Sequence, residues 1–472
     1  MIEIFKRTLG YLLMIFVFGS TLLYASSPDS VSAWQKVDAI LQRIHPPSFP
    51  DKKVSVKDYG AVADGQTDCR PAFVAAIRAC ADAGGGRVSV PAGEYLINGP
   101  LHLDDNINLH LEKGSVLRFG TNPTDYLVGD KRYNGCVKVR WEGVWCYNYS
   151  PLIYAWKAKN VALTGRGTID GQTDKFWSRW YIEKLHAPDR EILYQMPLDM
   201  TPMEERVFGP GHHLAPGTIE FYHCENVLIE GITTRMPLER TIHPVFCTNV
   251  IVRNVTVQPG VEKARNDDGI DPDSCIDVLI ENCIVHTYDD GIAVKSGRAR
   301  EGWPENGGRP TENVVIRNNT FLGGHNGVSA GSDMSGGIRN IFVENCSFGV
   351  EEPQWAVFNA KSNCDRGGVI EKIYFRNIEV GTCRHLIRME TDYKNVHYDS
   401  IAHPFPPVFR DMIFQDVICN ETLDEAFFIE GLVQEPVQGI LFNDITILEA
   451  KGPEKQLKYV EDIQWMDVRI KD

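Results

Sequence analysis

The run Asn266-Asp267-Asp268-Gly269-Ile270-Asp271-Pro272-Asp273-Ser274-Cys275-Ile276-Asp277-Val278-Leu279-Ile280-Glu281-Asn282-Cys283-Ile284-Val285-His286-Thr287-Tyr288-Asp289-Asp290-Gly291-Ile292-Ala293-Val294-Lys295 decides the fold. Two acidic clusters, Asp267–Asp268 and Asp289–Asp290, flank the strand-like segment from Val278 to Val285. If that segment is one rung of a coiled sheet, the clusters return to the same face on neighbouring rungs, about 4.8 Å apart. Asp268 precedes Asp289 by 21 residues and Asp290 by 22, close to one short solenoid turn. A single acidic pair at a strand end is ordinarily a solvated turn. Two pairs one rung apart are a different matter, because crowded carboxylates raise one another's pKa. One acid kept protonated can donate to a leaving glycosidic oxygen while an ionised partner activates water.

Outward from this run a repeat dominates, of the form N/D-V-x-I-x-N/D-V-x-V. Its copies begin at Asn160-Val161, Asn226-Val227, Asn249-Val250, Asp277-Val278, Asn313-Val314, Asn340-Ile341, Lys372-Ile373, Asp411-Met412, Gly439-Ile440 and Asp462-Ile463. Four residues after most of the leading apolar positions comes Gly231, Asn254, Asn282, Asn318, Asn345, Asn377, Asp416, Asp444 or Asp467, and the first copy fits less well. Most copies start 23 (Val227 to Val250) to 39 (Ile373 to Met412) residues apart, the period of one supersecondary unit. The unit alternates as a strand does, with almost no helical periodicity after residue 90. The recurrent Asn and Asp fit turns that stack on their equivalents in the next rung. The expectation is an all-β parallel β-helix over residues 54–472, one elongated domain. A helix from about Arg70 to Ala83, with Pro71 in its first turn and Gly84-Gly85-Gly86 after it, is expected to cap the N-terminal end of the core. Asp64–Asp68 reads as a turn, with Thr67 or Asp68 capping that helix.

The 472 residues carry a net charge of -15, which argues against a nucleic-acid partner. Lys6 and Arg7 precede an apolar run from Leu9 to Tyr24 and small residues Ala25-Ser26-Ser27, so residues 1–26 read as a cleavable export signal, the alternative being an uncleaved membrane anchor for which the run is short, and 27–53 as a linker or short amphipathic helix. The expected product is exported (periplasmic or extracellular), not inserted in a membrane after signal removal, and monomeric. Of twelve cysteines, Cys224, Cys247, Cys275, Cys283 and Cys346 sit at repeat positions and read as small buried hydrophobes. Cys136–Cys146 and Cys69–Cys80 are the nearest pairs for a bridge. No zinc-type spacing is present, and no metal or other cofactor is expected. Residues 120–156 and 172–217 interrupt the period with aromatics such as Trp141, Trp145, Tyr149, Trp177, Trp180 and Tyr181. They read as long loops whose rings either stack on sugars or pack on the barrel.

His325, in Gly323-Gly324-His325-Asn326-Gly327, and Lys361, in Asn359-Ala360-Lys361-Ser362, fall one and two rungs later at the corresponding place. Lys361, Lys295 and Arg298 form a candidate basic patch for a uronate carboxylate.

These residues resemble the polygalacturonase family, glycoside hydrolase family 28, whose motifs N-T-D, D-D, G-H-G and R-I-K lie on consecutive rungs. Here they stand as Asn266-Asp267-Asp268, Asp289-Asp290, Gly324-His325-Asn326 and Asn359-Ala360-Lys361. The opening Asp58–Asp68 and Val90–Gly93 resemble the family's, and Trp141-Glu-Gly, Ser150–Tyr154 and Ile242-His243-Pro244 its bacterial branch. The resemblance implies a right-handed β-helix and inverting hydrolysis of an α-linked galacturonide in pectic polysaccharide or oligogalacturonide. By motif position it makes Asp289 the general acid, with Asp268 and Asp290 activating water and His325 assisting. Asn266, Lys361, Lys295, His243 and Asn359 are the substrate-binding set. Asn359 departs from the family's Arg, Asn326 from Gly and Asp267 from Thr. Those departures point to a rhamnogalacturonan-type or decorated backbone, or to exo action, with Arg388 as a candidate replacement charge. Two other classes stay open: a pectate-lyase-type β-elimination with calcium, and a non-catalytic carbohydrate-binding solenoid.

Overall fold

A computed structural model describes residues 28–264, 266–395 and 404–471. The export signal expected over residues 1–26 lies outside them. The fold is a right-handed parallel β-helix. The leading apolar residues of the repeat form one column: Val161 pairs with Val227, then Val250, Val278, Val314, Ile341, Ile373, Met412, Ile440 and Ile463 in strict parallel register. The first copy, the poorest fit by sequence, sits in the same column. All but Ile463 are buried, and full burial of each such side chain stabilises by about 1.5–3 kcal/mol.

The polar residues of the repeat make the bends. Asn160, Asn226, Asn249, Asp277, Asn313 and Asn340 have φ between 53° and 59°, as left-handed corners where Asn and Asp are tolerated. Their amides stack: Asn226 donates to Asn160 at 2.9 Å, Asn249 to Asn226 at 2.7 Å and Asn340 to Asn313 at 3.2 Å. Asn254, Asn282, Asn318, Asn345 and Asn377 turn a second corner in the same way.

Between the two corners, Ala162, Leu228, Ile251, Leu279, Val315, Phe342 and Tyr374 point away from the barrel and would leave an apolar stripe on its flank. Helix α1 (Pro28–Leu41) covers it with Ala33, Trp34, Val37 and Ile40, followed by Ile44. The Trp34 ring meets Phe342 edge-on at 5.4 Å and lies 3.9 Å under the Arg376 guanidinium. Arg43 forks onto Asp277 at 2.6 and 2.9 Å, and Asn249 exchanges hydrogen bonds with the His45 backbone. Of the two forms expected for residues 27–53, the amphipathic helix is therefore the one present, as a strap along several rungs.

Helix α2 (Arg70–Asp82) lies across the N-terminal end of the barrel and buries Phe73, Ala76, Ile77 and Cys80. Asp68 accepts from the Arg70 amide at 3.0 Å, and the expected turn at 64–68 is a strand. The two interruptions are structured, contrary to expectation. Residues Val137–Trp141 and Val144–Asn148 form a hairpin. Helices α3 (Ser178–Ile182) and α4 (His186–Leu198) follow, the first hidden from a periodicity reading by its five residues, the second by Pro188, Pro197 and the lack of an apolar stripe. Trp141, Trp177 and Trp180 are buried in this wall, so the packing reading holds for them. All twelve cysteines are free and buried, including the two pairs considered for bridges. Among the described residues no helix is long and apolar enough to cross a membrane.

Candidate active site

One face of the barrel carries the acids. Ile242, Ile270, Ile292, Val328, Phe358 and Ile387 stack as an inward column. Two residues before this column lie Arg240, Asp268, Asp290 and Asn326, and three residues after it lie Asp273, Lys295, Gly331 and Lys361. The backbone locks these rungs together: Thr241 N–H donates to Asp268 O at 2.7 Å, Gly269 to Asp290 O at 2.9 Å and Gly291 to Asn326 O at 2.7 Å. Gly269 is required for this approach, since a Cβ there would lie 2.4 Å from Gly291 O. The expected convergence of Asp268, Asp289 and Asp290 on adjacent rungs is what the register produces.

The three acids have unlike surroundings. Asp290 is buried and receives Lys361 Nζ at 2.8 and 3.2 Å, Ser329 Oγ at 2.6 Å and the Asn326 amide. His325 Nδ1 lies 3.5 Å away. Burial alone would raise its pKa, but the Lys361 ammonium, with His325 and Lys295, holds it well below the usual carboxylate value. Asp289 is 27 % exposed and among the described residues has no comparable cation: the basic group that pairs with it is His325, at 3.9 Å. Desolvation, then the charges of Asp268 and Asp290, push its pKa well above the carboxylate range. Asp268 pairs with Lys295 at 3.1 Å and accepts from the Asp290 amide at 3.3 Å. Asp267 stands behind the cluster as a loop pin, accepting from the amides of Gly260, Tyr288 and Asp289 at 2.8 to 3.2 Å.

The remaining residues of the expected set divide. Asn266 is half-buried at the site and donates to Tyr181 Oη at 3.0 Å; Tyr181 in turn donates to Glu239 at 2.9 Å. The expected contact of His243 with substrate is not available to it: the ring is 0 % exposed, held between Glu220 at 2.8 Å and Arg240 at 3.1 Å. Asn359 is likewise buried, donating to Asn326 Oδ1 at 3.1 Å. The two departures at positions 326 and 359 are thus one unit, which reaches Asp290. Lys295 and Lys361 are engaged by Asp268 and Asp290, so neither is a free cation for a uronate. Arg388 pairs with Glu390 at 3.0 Å and lies 3.9 Å over the Phe428 ring, so its charge is already matched. Sequence reasoning missed Trp355, whose ring stacks on His325 at 4.6 Å, and the arginines Arg240 and Arg366. Asp289, Asp290 and His325 present three donor atoms within 4.8 Å of one another. A calcium ion takes six to eight oxygens, and here Lys361, Ser329 and Asn326 already occupy Asp290, so the donor set suits ammonium pairing better than that metal.

The family model described as "Glycosyl hydrolases family 28" matches residues 210–466, and "Rhamnogalacturonase A/epimerase, pectate lyase-like" matches 53–115. A "Probable polygalacturonase" of Vitis vinifera is 29% identical over 84% of this chain and 75% of its own length. The "Exo-poly-alpha-D-galacturonosidase" of Dickeya chrysanthemi is 26% identical over 69% of this chain and 54% of its own. Among solved structures, a hyperthermoactive exopolygalacturonase from Thermotoga maritima superposes with a TM-score of 0.84 at 35% identity, covering 93% of this chain and 96% of that one. A family 28 exopolygalacturonase of Yersinia enterocolitica shares the fold, with a TM-score of 0.68 at 19% identity, over 88% of this chain and 78% of that one.

Proposed function

The chain belongs to glycosyl hydrolases family 28 and is a glycoside hydrolase, and from its acid cluster we propose that it cleaves α-linked galacturonide bonds of pectic polysaccharide with inversion at the anomeric carbon. What supports the mechanism is the split between neighbours: on consecutive residues, Asp289 is pushed above the usual carboxylate range by burial and by the charges of Asp268 and Asp290, and Asp290 is held below it by Lys361 at 2.8 Å. Asp289 donates its proton to the glycosidic oxygen as the bond to C1 breaks. Asp290, with Asp268, takes a proton from the water that attacks C1 from the opposite side. The protonation states regenerate by exchange with solvent. His325 borders both carboxylates, and Trp355 stiffens the imidazole by stacking.

Exo action fits two observations. The cited relatives from Dickeya and Thermotoga are named for it. In this chain the hairpin and α3–α4 wall reach the site, with Tyr181 on Asn266 and the Tyr194 ring 3.5 Å from the Arg298 guanidinium. The apolar leader, Leu9 to Tyr24 after Lys6 and Arg7, supports export. The test is proton NMR of the products formed from polygalacturonate. The expected first product is the β-anomer, without 4,5-unsaturated sugar. An α-anomer appearing first would end the inverting reading, and ultraviolet absorbance from unsaturated ends would turn it into a lyase.

A further inference from the structure

Four consecutive turns leave this face after Lys295, Gly331, Lys361 and Glu390, and each sends a group to the same spot: Arg298, Asp333, Arg366 and the pair Tyr393–Lys394. Asp333 Oδ1 lies 3.5 Å from both Arg298 Nη1 and Arg366 Nη1, and its Oδ2 lies 3.1 Å from Arg240 Nη2. The Tyr393 ring is shared: Lys361 Nζ and Arg366 Cζ each lie 5.8 Å from its centre and Lys394 Nζ 5.3 Å. Because Lys361 also holds Asp290, this loop cluster adjoins the acids.

Among the described residues its charges do not balance. Arg240 also faces Asp271, at 3.5 Å. With that pair set aside, Arg298, Arg366 and Lys394 remain against Asp333 and Glu142, and Glu142 also accepts from Tyr194 Oη. Arg366 is 3 % exposed, its Nε has no hydrogen-bond partner among the described residues, and its one ion pair is longer than a charge-assisted bond of about 2.7–2.9 Å. Burial, with Arg298 beside it, lowers its pKa to about 10. A buried, underpaired guanidinium is costly unless an anion joins it. Meanwhile position 359, where the family carries Arg, holds a buried Asn, and both groove lysines are taken by acids.

We propose that Arg298 and Arg366, oriented by Asp333 and rimmed by Tyr393 and Lys394, form a carboxylate pocket for the uronate unit beside the scissile bond, replacing the strand-borne arginine with loop-borne ones. It rests on the hydrolase reading above and names the group that selects the substrate. Planar guanidiniums suit a carboxylate, which accepts two parallel N–H donors. A sugar with CH2OH at C6 offers no charge there.

The test is trigalacturonate hydrolysis by the wild type, Arg298→Gln, Arg366→Gln and Lys394→Gln, with galacturonate and galactose as competing ligands. The expected result is a KM raised at least tenfold in both arginine variants and a few-fold in Lys394→Gln, with kcat changed less. Inhibition by galacturonate is lost in the arginine variants, and galactose inhibits none of the four. Unchanged KM and unchanged galacturonate inhibition in both arginine variants would overturn the pocket while leaving hydrolysis intact. Should either glutamine variant fail to fold by near-ultraviolet circular dichroism, Arg366→Lys and Lys394→Gln decide by the same readout. If the wild type cleaves no galacturonan, the hydrolase reading falls separately and calorimetry with galacturonate judges the pocket: heat from the wild type and none from Arg366→Gln supports it, and any other pattern overturns it.

Discussion

Lys361 donates from two rungs away to both carboxylate oxygens of Asp290, at 2.8 and 3.2 Å, and its charge also lowers the pKa of Asp289. Replacing it with Met leaves burial to dominate both acids, so both pKa values rise. The acid limb of the kcat/KM profile, where Asp290 must ionise, and the alkaline limb, where Asp289 must stay protonated, then both move to higher pH. An opposite charge at this range shifts a carboxylate by about one to three units. A pH series on Lys361→Met with both limbs unmoved would remove Lys361 from the acid–base machinery.

Asp289→Asn keeps the shape and removes the transferable proton. The expected loss in kcat is about 10²- to 10⁴-fold, with KM for trigalacturonate within a few-fold of the wild type. The midpoint of thermal unfolding is expected to hold or rise at neutral pH, because folding no longer has to raise the pKa of a carboxyl at this position. A variant with near-normal kcat would reassign the acid.

Trp34 is far from the chemistry and sits between Phe342 and Arg376. Trp34→Ala is expected to cost about 3–5 kcal/mol in urea unfolding, with KM unchanged. A loss under 1 kcal/mol would mean that the helix rests on the barrel without securing it.

Asn249 combines a left-handed corner at φ 56° with an amide that donates to Asn226 and to His45 O. Asn249→Ala loses the hydrogen bonds and strains the corner, a destabilisation of about 2–3 kcal/mol. Asn249→Gly is expected to recover about 1 kcal/mol of it, because glycine accepts the conformation. Equal losses in the two variants would show that the corner carries no conformational cost.

What the chain discloses about itself follows from how local each signal is. The column from Val161 to Ile463 and the stacked Asn corners were legible because every rung repeats the same five or six residues. Asp268, Asp289 and Asp290 were legible because rung length converts directly into adjacency. His243 was misjudged: its motif marks a position on the strand, whereas its role depends on Glu220 one rung below and Arg240 on its own strand. Arg298 was read as part of a basic patch with Lys295 and Lys361, but its meeting with Asp333 and Arg366 was not legible: the three share no motif and come together only because the loops fold over one another. Helix α3, at five residues, gives too few turns for a period to show, and α4 buries only Asp189, Leu193 and Pro197, which make no apolar stripe.

The strap α1 is the first described element in the chain, yet its seat runs from Ala162 on to Phe342 and Tyr374, many rungs later. During synthesis the helix is finished long before its seat is complete, so Trp34 lacks its Phe342 partner until that rung is laid down. Closing it is a contact of very long sequence separation, of the kind that slows folding. It fastens the rungs only once they are stacked, in the manner of a clasp.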